Sequence, residues 1–134
     1  MEGYKLRIVT PDGSKFDDYI KSIIVRTVNG DVCILKNHTD YIGTVEIGRV
    51  EICQLNDERL FATCHDGFLN FSNNVAELIA TTFEFSNNID VARAEIAKER
   101  AVKIIAENKD IDEVELAKIR LKRAINRLDV SKLK

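Results

Sequence analysis

The sequence predicts an α+β protein: an N-terminal antiparallel β-sandwich over about residues 1–86, followed by a C-terminal antiparallel two-helix hairpin over about 88–134. Three observations predict it. Up to Phe85 the chain is a series of short, β-branched, alternating runs, with turn residues at nearly regular spacing and no helical stretch between them. From Asn88 onward apolar residues recur at helical spacing, first at Ala94, Ala97, Ala101, Ile104 and Ile105, then at Ala117, Leu121, Ala124 and Leu128. The change of period falls on the polar junction Ser86-Asn87-Asn88.

Taken in order, Lys5 to Val9 alternates polar and apolar with Leu6 and Ile8 on one face, and Pro11-Asp12-Gly13 turns the chain. Tyr19 to Val28 is a β-branched run closed by Asn29-Gly30, a strong hairpin signal, and Val32 to Leu35 is the returning strand. Lys36 to Asp40 is polar and irregular. A strand follows around Tyr41 to Ile47, with Gly48 as its expected end. Arg49 to Leu55 places Val50 and Ile52 inward. After Asn56-Asp57, Arg59 to Cys64 puts Leu60, Ala62 and Cys64 on one face. His65-Asp66-Gly67 reads as a further turn, Phe68 to Ser72 as a strand, Asn73-Asn74 as a turn, and Val75 to Thr82 as the last strand.

The two helical stripes are alanine-rich, so their helices can approach closely. Between them, in Asn108-Lys109-Asp110-Ile111-Asp112-Glu113, Asp112 is the expected N-cap, with Glu115 reaching back as a capping box. The charges are patterned too. Arg93 and Arg100 lie seven residues apart on one face, and Arg120, Arg123 and Arg127 share a face of the second helix. A closed hairpin brings Arg93, Arg100, Arg123 and Arg127 into reach of one another, as a cationic groove suited to phosphate oxygens. Two readings of Asp90 stay open: a partner for an adenine amino group or for Arg93, or simply a helix N-cap beside a solvated face in which Glu95, Glu99 and nearby lysines pair.

Bulk properties exclude several classes. Hydrophobic residues make up 45% and charged residues 31% of 134 residues, an ordinary globular balance. A net charge of -2 gives no case for nucleic acid, but it hides an asymmetry. Residues 1–87 carry 8 basic and 13 acidic side chains, and residues 88–134 carry 12 and 9. After Leu116 there are seven Lys/Arg against Asp129 alone, a basic helix suited to an acidic partner surface or to the chain's own body. No apolar run reaches the length of a membrane span, and the first residues have no signal-peptide pattern. The odd set Cys33, Cys53 and Cys64 argues against a disulfide framework and for buried free thiols. No G-x-x-x-x-G-K-[ST] cradle occurs, Cys64-His65 has no second pair at zinc-ligand spacing, and no serine or cysteine is visibly partnered with a base. The chain therefore reads as non-catalytic, with no metal site and no required cofactor.

Ile89-Asp90-x-x-Arg93-Ala94, then Glu99-Arg100-Ala101, then Lys122-Arg123-Ala124-x-Asn126-Arg127-Leu128, in this order behind an all-β segment, resembles the epsilon subunit of bacterial rotary (F-type) ATP synthases over nearly the whole chain. The resemblance implies a regulatory ATP site without a Walker motif. Ile89, Asp90, Arg93 and Ala94 match the motif directly, Arg100, Arg123 and Arg127 match supporting arginines, and Glu84 stands at the acidic position just upstream. It also implies a sandwich that meets the gamma subunit and the c-ring. Asp31 fills the acidic place and His38 the histidine of a contact loop, while Cys33, Lys36, Asn37 and Asp40 depart from the family's Pro-Gly-His-Ala-Pro turn. A surface histidine with no further role is the alternative for His38.

By the same resemblance the chain is a peripheral component on the cytoplasmic face of the bacterial membrane, held there through its complex. Its hairpin permits turnover when folded on the sandwich. When extended, it inhibits hydrolysis by carrying Arg120, Lys122, Arg123 and Arg127 to acidic surfaces of the alpha and beta subunits. A free-standing nucleotide-sensing module is the rival reading. Co-purification of alpha, beta and gamma subunits separates the two.

Overall fold

In the first strand, β1 (Tyr4–Thr10), Leu6 and Ile8 are fully buried while Arg7 and Val9 face solvent, the period-two pattern of a half-buried strand. The computed structural model describes residues 3–107 and 110–133. Strands follow as β2 (Gly13–Thr27), β3 (Gly30–Leu35), β4 (Tyr41–Val45), β5 (Gly48–Gln54), β6 (Arg59–Ser72) and β7 (Val75–Phe85). A 3-10 turn at Ser86–Asn88 leads into α1 (Val91–Glu107) and α2 (Ile111–Ser131). Neither helix is long and apolar enough to cross a membrane.

The seven strands form one sheet folded into two layers, because β2, β6 and β7 are long enough to serve both. The first half of β2 pairs with β1, and its second half pairs with β3 and β5. Along β6, Arg59–Cys64 lies against β5, while Gly67–Phe71 lies against β4. β7 runs antiparallel to β6 throughout and adds a parallel pairing with β1. Inward side chains from both layers make one apolar core that includes Leu6, Ile20, Ile23, Ile34, Ile52, Leu69 and Leu78. Tyr4 bridges it: its hydroxyl donates to the Ile34 carbonyl at 2.6 Å, and its ring meets Phe71 edge-on at 5.2 Å. Burial pushes the Tyr4 phenol well above its ordinary pKa.

Four expectations are corrected. His65-Asp66-Gly67 is not a turn but the point where continuous β6 changes partner from β5 to β4. Asp66 takes φ +54°, which bends the strand while pairing with β7 continues in unchanged register. Gly67 has no room for a side chain there, since a Cβ would meet Cys64 Sγ at 3.0 Å and the Ile79 carbonyl at 3.1 Å. Gly48 opens β5 opposite Cys64 instead of ending a strand. The α2 cap is Asp110, whose carboxylate accepts from the Asp112 amide at 2.9 Å, while Glu115 turns outward to Lys118. The expected break at Asn108-Lys109 lies outside the described residues. Finally, only Cys64 is buried, where burial pushes its thiol up to about 12; Cys53 is half-buried and Cys33 exposed.

The helices pack on each other through alanines. Ala94 and Ala101 of α1 and Ala117 and Ala124 of α2 are all buried. α2 lies on the outer face of the layer holding β5 and the first half of β6, with Leu128 and Val130 buried and Asn126 Nδ2 donating to the Gly48 carbonyl at 3.1 Å. Every member of the apolar core cluster lies on a strand, so the sandwich closes its own interior before the hairpin begins. A chain truncated after Asn87 is therefore expected to keep a cooperative thermal transition. Loss of that transition, read by circular dichroism, would make the hairpin part of the core.

Candidate functional site

Helix α1 starts where Asp90 accepts a hydrogen bond from the Arg93 amide at 3.0 Å, which is N-cap geometry. The helix-cap reading of Asp90 is thus realised in the structure. Its second oxygen is not used by that bond, so capping does not exhaust the carboxylate. Ile89, immediately before it, is buried at the junction of sandwich and hairpin. One turn into α1, the small side chain of Ala94 leaves open a cleft of about 450 Å³ lined by Glu84, Asp90, Arg93, Ala94, Arg100 and Arg127. Six of the eight residues expected to form a nucleotide site therefore meet around one opening, contributed by β7, α1 and α2.

The remaining two stand apart. Ile89 is not part of the cleft wall. Arg123 lines a neighbouring cavity of about 370 Å³ with Arg100, Arg120, Arg127, His65 and Thr82. Arg100 and Arg127 belong to both walls, so the two openings are continuous along the hairpin. Two carboxylates of the sandwich hold the arginines of α2. Arg127 Nε donates to Glu84 Oε1 at 2.8 Å, and Arg123 Nη2 donates to Asp66 Oδ2 at 2.7 Å. A guanidinium carries five N–H donors, so these pairs leave donors for a further anion.

Of the residues expected to make an inhibitory contact, Arg120 and Lys122 are exposed, while Arg123 and Arg127 are half-buried and paired with the body. Lys122 lies on a different wall, beside Asp129 and Asp31. Asp31 and His38 stand at opposite ends of β3. Asp31 accepts from Arg26 Nε at 2.6 Å near the end of α2, and His38 sits edge-on to Tyr41 and Phe71 at the far end. The structure does not bring these two together.

Sequence reasoning weighed His65 only as a zinc ligand, rejected for want of a second pair at ligand spacing, and placed it with Asp66 in a turn. His65 is only 2% exposed, covered by α2, and its Nε2 is buried without a hydrogen-bond partner. Its pKa is lowered to about 4, first by burial and then by the Arg127 and Arg123 cations, against a smaller opposing pull from Glu84 and Asp66. One signal could have found it. The inward positions run Ala62, Cys64 and then Gly67, Leu69, Phe71, a change of phase that marks a kink inside a strand.

Comparison with known proteins gives a consistent result. Residues 3–86 match the family described as ATP synthase, Delta/Epsilon chain, beta-sandwich domain, and residues 87–132 match its long alpha-helix domain. The ATP synthase epsilon chain of Pediococcus pentosaceus is 42% identical over 129 residues, covering 93% of this chain and 92% of that one. That of Lacticaseibacillus casei is 35% identical over 131 residues, covering 94% and 92%. A chain in the cryo-EM structure of the Euglena gracilis mitochondrial ATP synthase, OSCP/F1/c-ring, superposes with TM-score 0.84 at 16% identity, covering 94% of this chain and 79% of that one. One from the central stalk/c-ring of the Tetrahymena thermophila mitochondrial enzyme gives 0.63 at 13%, covering 96% of both. At these identities the two structures speak for the fold.

The state of His65 makes docking of the hairpin pH-dependent. An exposed imidazole titrates near pH 6.5, whereas the covered one resists protonation down to about 4. Between these values the undocked form takes up a proton that the docked form does not, so docking is favoured above pH 6.5 and weakens as the pH falls towards 4. Amide chemical shifts over residues 111–131, followed from pH 7.5 to 4.5, are expected to move towards an undocked state. In a His65→Gln variant most of that movement should disappear.

Proposed function

The chain belongs to the delta/epsilon family of ATP synthase chains, and from that premise we propose how it works: as the epsilon subunit in the central stalk of a bacterial rotary enzyme. It has no catalytic role of its own. The sandwich binds the gamma subunit and the c-ring, with Asp31 and His38 in separate contacts at opposite ends of β3, and so helps couple ion flow to ATP synthesis. The assembly holds the chain at the cytoplasmic face of the membrane. The hairpin is a regulatory switch that binds ATP when folded and inhibits hydrolysis when extended.

One observation carries the ATP reading. The closed hairpin gathers Arg93, Arg100 and Arg127 with Asp90 and Glu84 around a single cleft, although these residues come from three elements. Opening the hairpin separates them. A ligand that needs all of them has higher affinity for the closed form and shifts the equilibrium towards it. Arg123 joins the site from the adjoining cavity, Ala94 keeps the opening clear, and Ile89 anchors the junction beneath Asp90. Loss of one charged hydrogen-bonding partner costs about 1.5–3 kcal/mol. Arg93→Ala is therefore expected to weaken ATP binding by about one to two orders of magnitude in calorimetric titration. Equal affinities in wild type and variant, or no binding at all, would reject ATP sensing at this cleft.

Inhibition draws on the same arginines in the other state. Undocking frees Arg123 and Arg127 from Asp66 and Glu84, so that with Arg120 and Lys122 they form a cationic face able to meet acidic surfaces of the alpha and beta subunits. Replacing all four by alanine should raise ATP hydrolysis by the assembled complex, and added salt should reproduce part of that rise. An unchanged rate in the quadruple variant would remove these residues from the inhibitory contact.

A further inference from the structure

The cavity beside the cleft has a floor to which no ligand contact has yet been assigned. Its floor is the outer face of β6 and β7, with His65 and Thr82 paired across the two strands, and its sides carry Arg100 from α1 and Arg120, Arg123 and Arg127 from α2. Four guanidinium groups around about 370 Å³ make it a site for a strongly anionic ligand. Its shared wall with the cleft, through Arg100 and Arg127, makes it the natural seat for the phosphate chain of a nucleotide whose remainder lies near Asp90 and Arg93. His65 lines this cavity almost wholly buried, with Nε2 unpartnered, and the Nε of Arg123 is likewise buried without a partner. Two buried polar atoms left unsatisfied at one opening each cost free energy until something there bonds to them.

We propose that His65 is a ligand-binding residue of this site: when a polyphosphate enters, Nε2 takes a proton from solvent and donates it in a hydrogen bond to a phosphate oxygen. The inference rests on the reading of the cleft as a nucleotide site and adds to it a proton taken up on binding. Among the described residues, the charged groups that face the ring or line the cavity come from four elements. Arg123 and Arg127 of α2 disfavour a charged imidazole, Asp66 of β6 and Glu84 of β7 favour it, and Arg100 of α1 and Arg120 of α2 complete the positive cavity wall. In the free site the ring is thus too buried, and its surroundings too positive, for a charged imidazole. A bound polyphosphate reverses the sign of the local field and supplies the missing acceptor. Protonation of His65 and occupancy of the cavity then favour each other, as linkage requires. Asp66 and Glu84 do not substitute for the ligand, since their nearest bonds go to Arg123 and Arg127 and leave Nε2 unsatisfied.

The chain has two histidines, so a His38→Gln variant assigns both imidazole signals by NMR. The experiment titrates the full chain with ATP and, separately, with sodium tripolyphosphate, which carries the phosphate chain without the nucleoside. Calorimetry in two buffers of different ionisation enthalpy counts the protons taken up, and nitrogen shifts of the imidazoles show where they go. The terminal phosphate titrates in the same pH range, so His65→Gln provides the baseline.

The expected result is His65 turning from neutral to charged on saturation at pH 7. Proton uptake in the wild type should exceed that in His65→Gln by most of one proton. ATP affinity should rise about tenfold more between pH 8 and pH 6.5 in the wild type than in the variant. ATP binding with His65 still neutral and proton uptake equal in both proteins would overturn the proposal while leaving the nucleotide site in place. Failure of both ATP and tripolyphosphate to bind would overturn both. Tripolyphosphate binding with charged His65 and no added affinity for ATP would support the anion cavity and reject the nucleotide reading of the cleft. The wild-type imidazole shifts decide the matter even if His65→Gln does not fold.

Discussion

The closeness of α1 to α2 is the constraint on which the site depends. The distance between two packed helix axes, about 8–10 Å, is set by the side chains at their contact. Here the contact is made by Ala94, Ala101, Ala117 and Ala124, and none of these can hold the helices at arm's length. Long side chains beside the seam therefore converge. Arg100 and Arg127, on different helices, border the same openings because the alanines between the helices occupy so little space. A leucine at Ala101 or Ala124 would spread the guanidinium groups before it affected any strand.

A cationic groove of this kind would repel itself without the sandwich. Glu84 and Asp66 answer Arg127 and Arg123, and both carboxylates stand on the kinked β6–β7 pair. These pairs are partly exposed and worth at most about 1 kcal/mol each. Apolar anchoring of the hairpin to the body is also slight, resting on Leu128, Val130 and the junction residue Ile89. The sandwich, by contrast, has a closed core tied across by Tyr4. The hairpin is thus the element of lower stability, and a bound anion or a competing acidic surface can shift its equilibrium without disturbing the strands.

The fold was legible because each of its signals is local. Alternation up to Phe85, the asparagine-rich junction and the alanine stripes fix strands and helices without knowledge of what each will touch. The motif residues of the cleft were legible for the same reason, since Asp90, Arg93 and Ala94 lie within one helical turn and Arg100 two turns on. The misreadings, apart from the α2 cap, depended on contacts made across the fold. His65-Asp66-Gly67 carries the composition of a turn, and only the continued pairing with β7 keeps it a strand. In Asp110-Ile111-Asp112 either aspartate can cap, and the structure uses the one that reaches the amide two residues ahead. Cys33 looks like a core residue, but on β3 the neighbouring Ile34 takes the inward place. Asp31 and His38 are close in sequence, yet a strand of six residues spans about 20 Å and sets them at opposite ends.

The kink at Asp66 links these two levels. By changing partner at this point, β6 contributes Ala62 and Cys64 to the core in one layer and Leu69 and Phe71 in the other, so the sandwich needs the bend for its own closure. The same bend presents Asp66 to Arg123 and turns His65 up beneath α2, where the helix covers it. A feature required by core packing therefore places both a carboxylate and an imidazole beneath α2. The hairpin rests on a docking face held by strands of the closed core. Charges carried by those strands therefore stand in fixed places, which a site assembled from three separate elements requires.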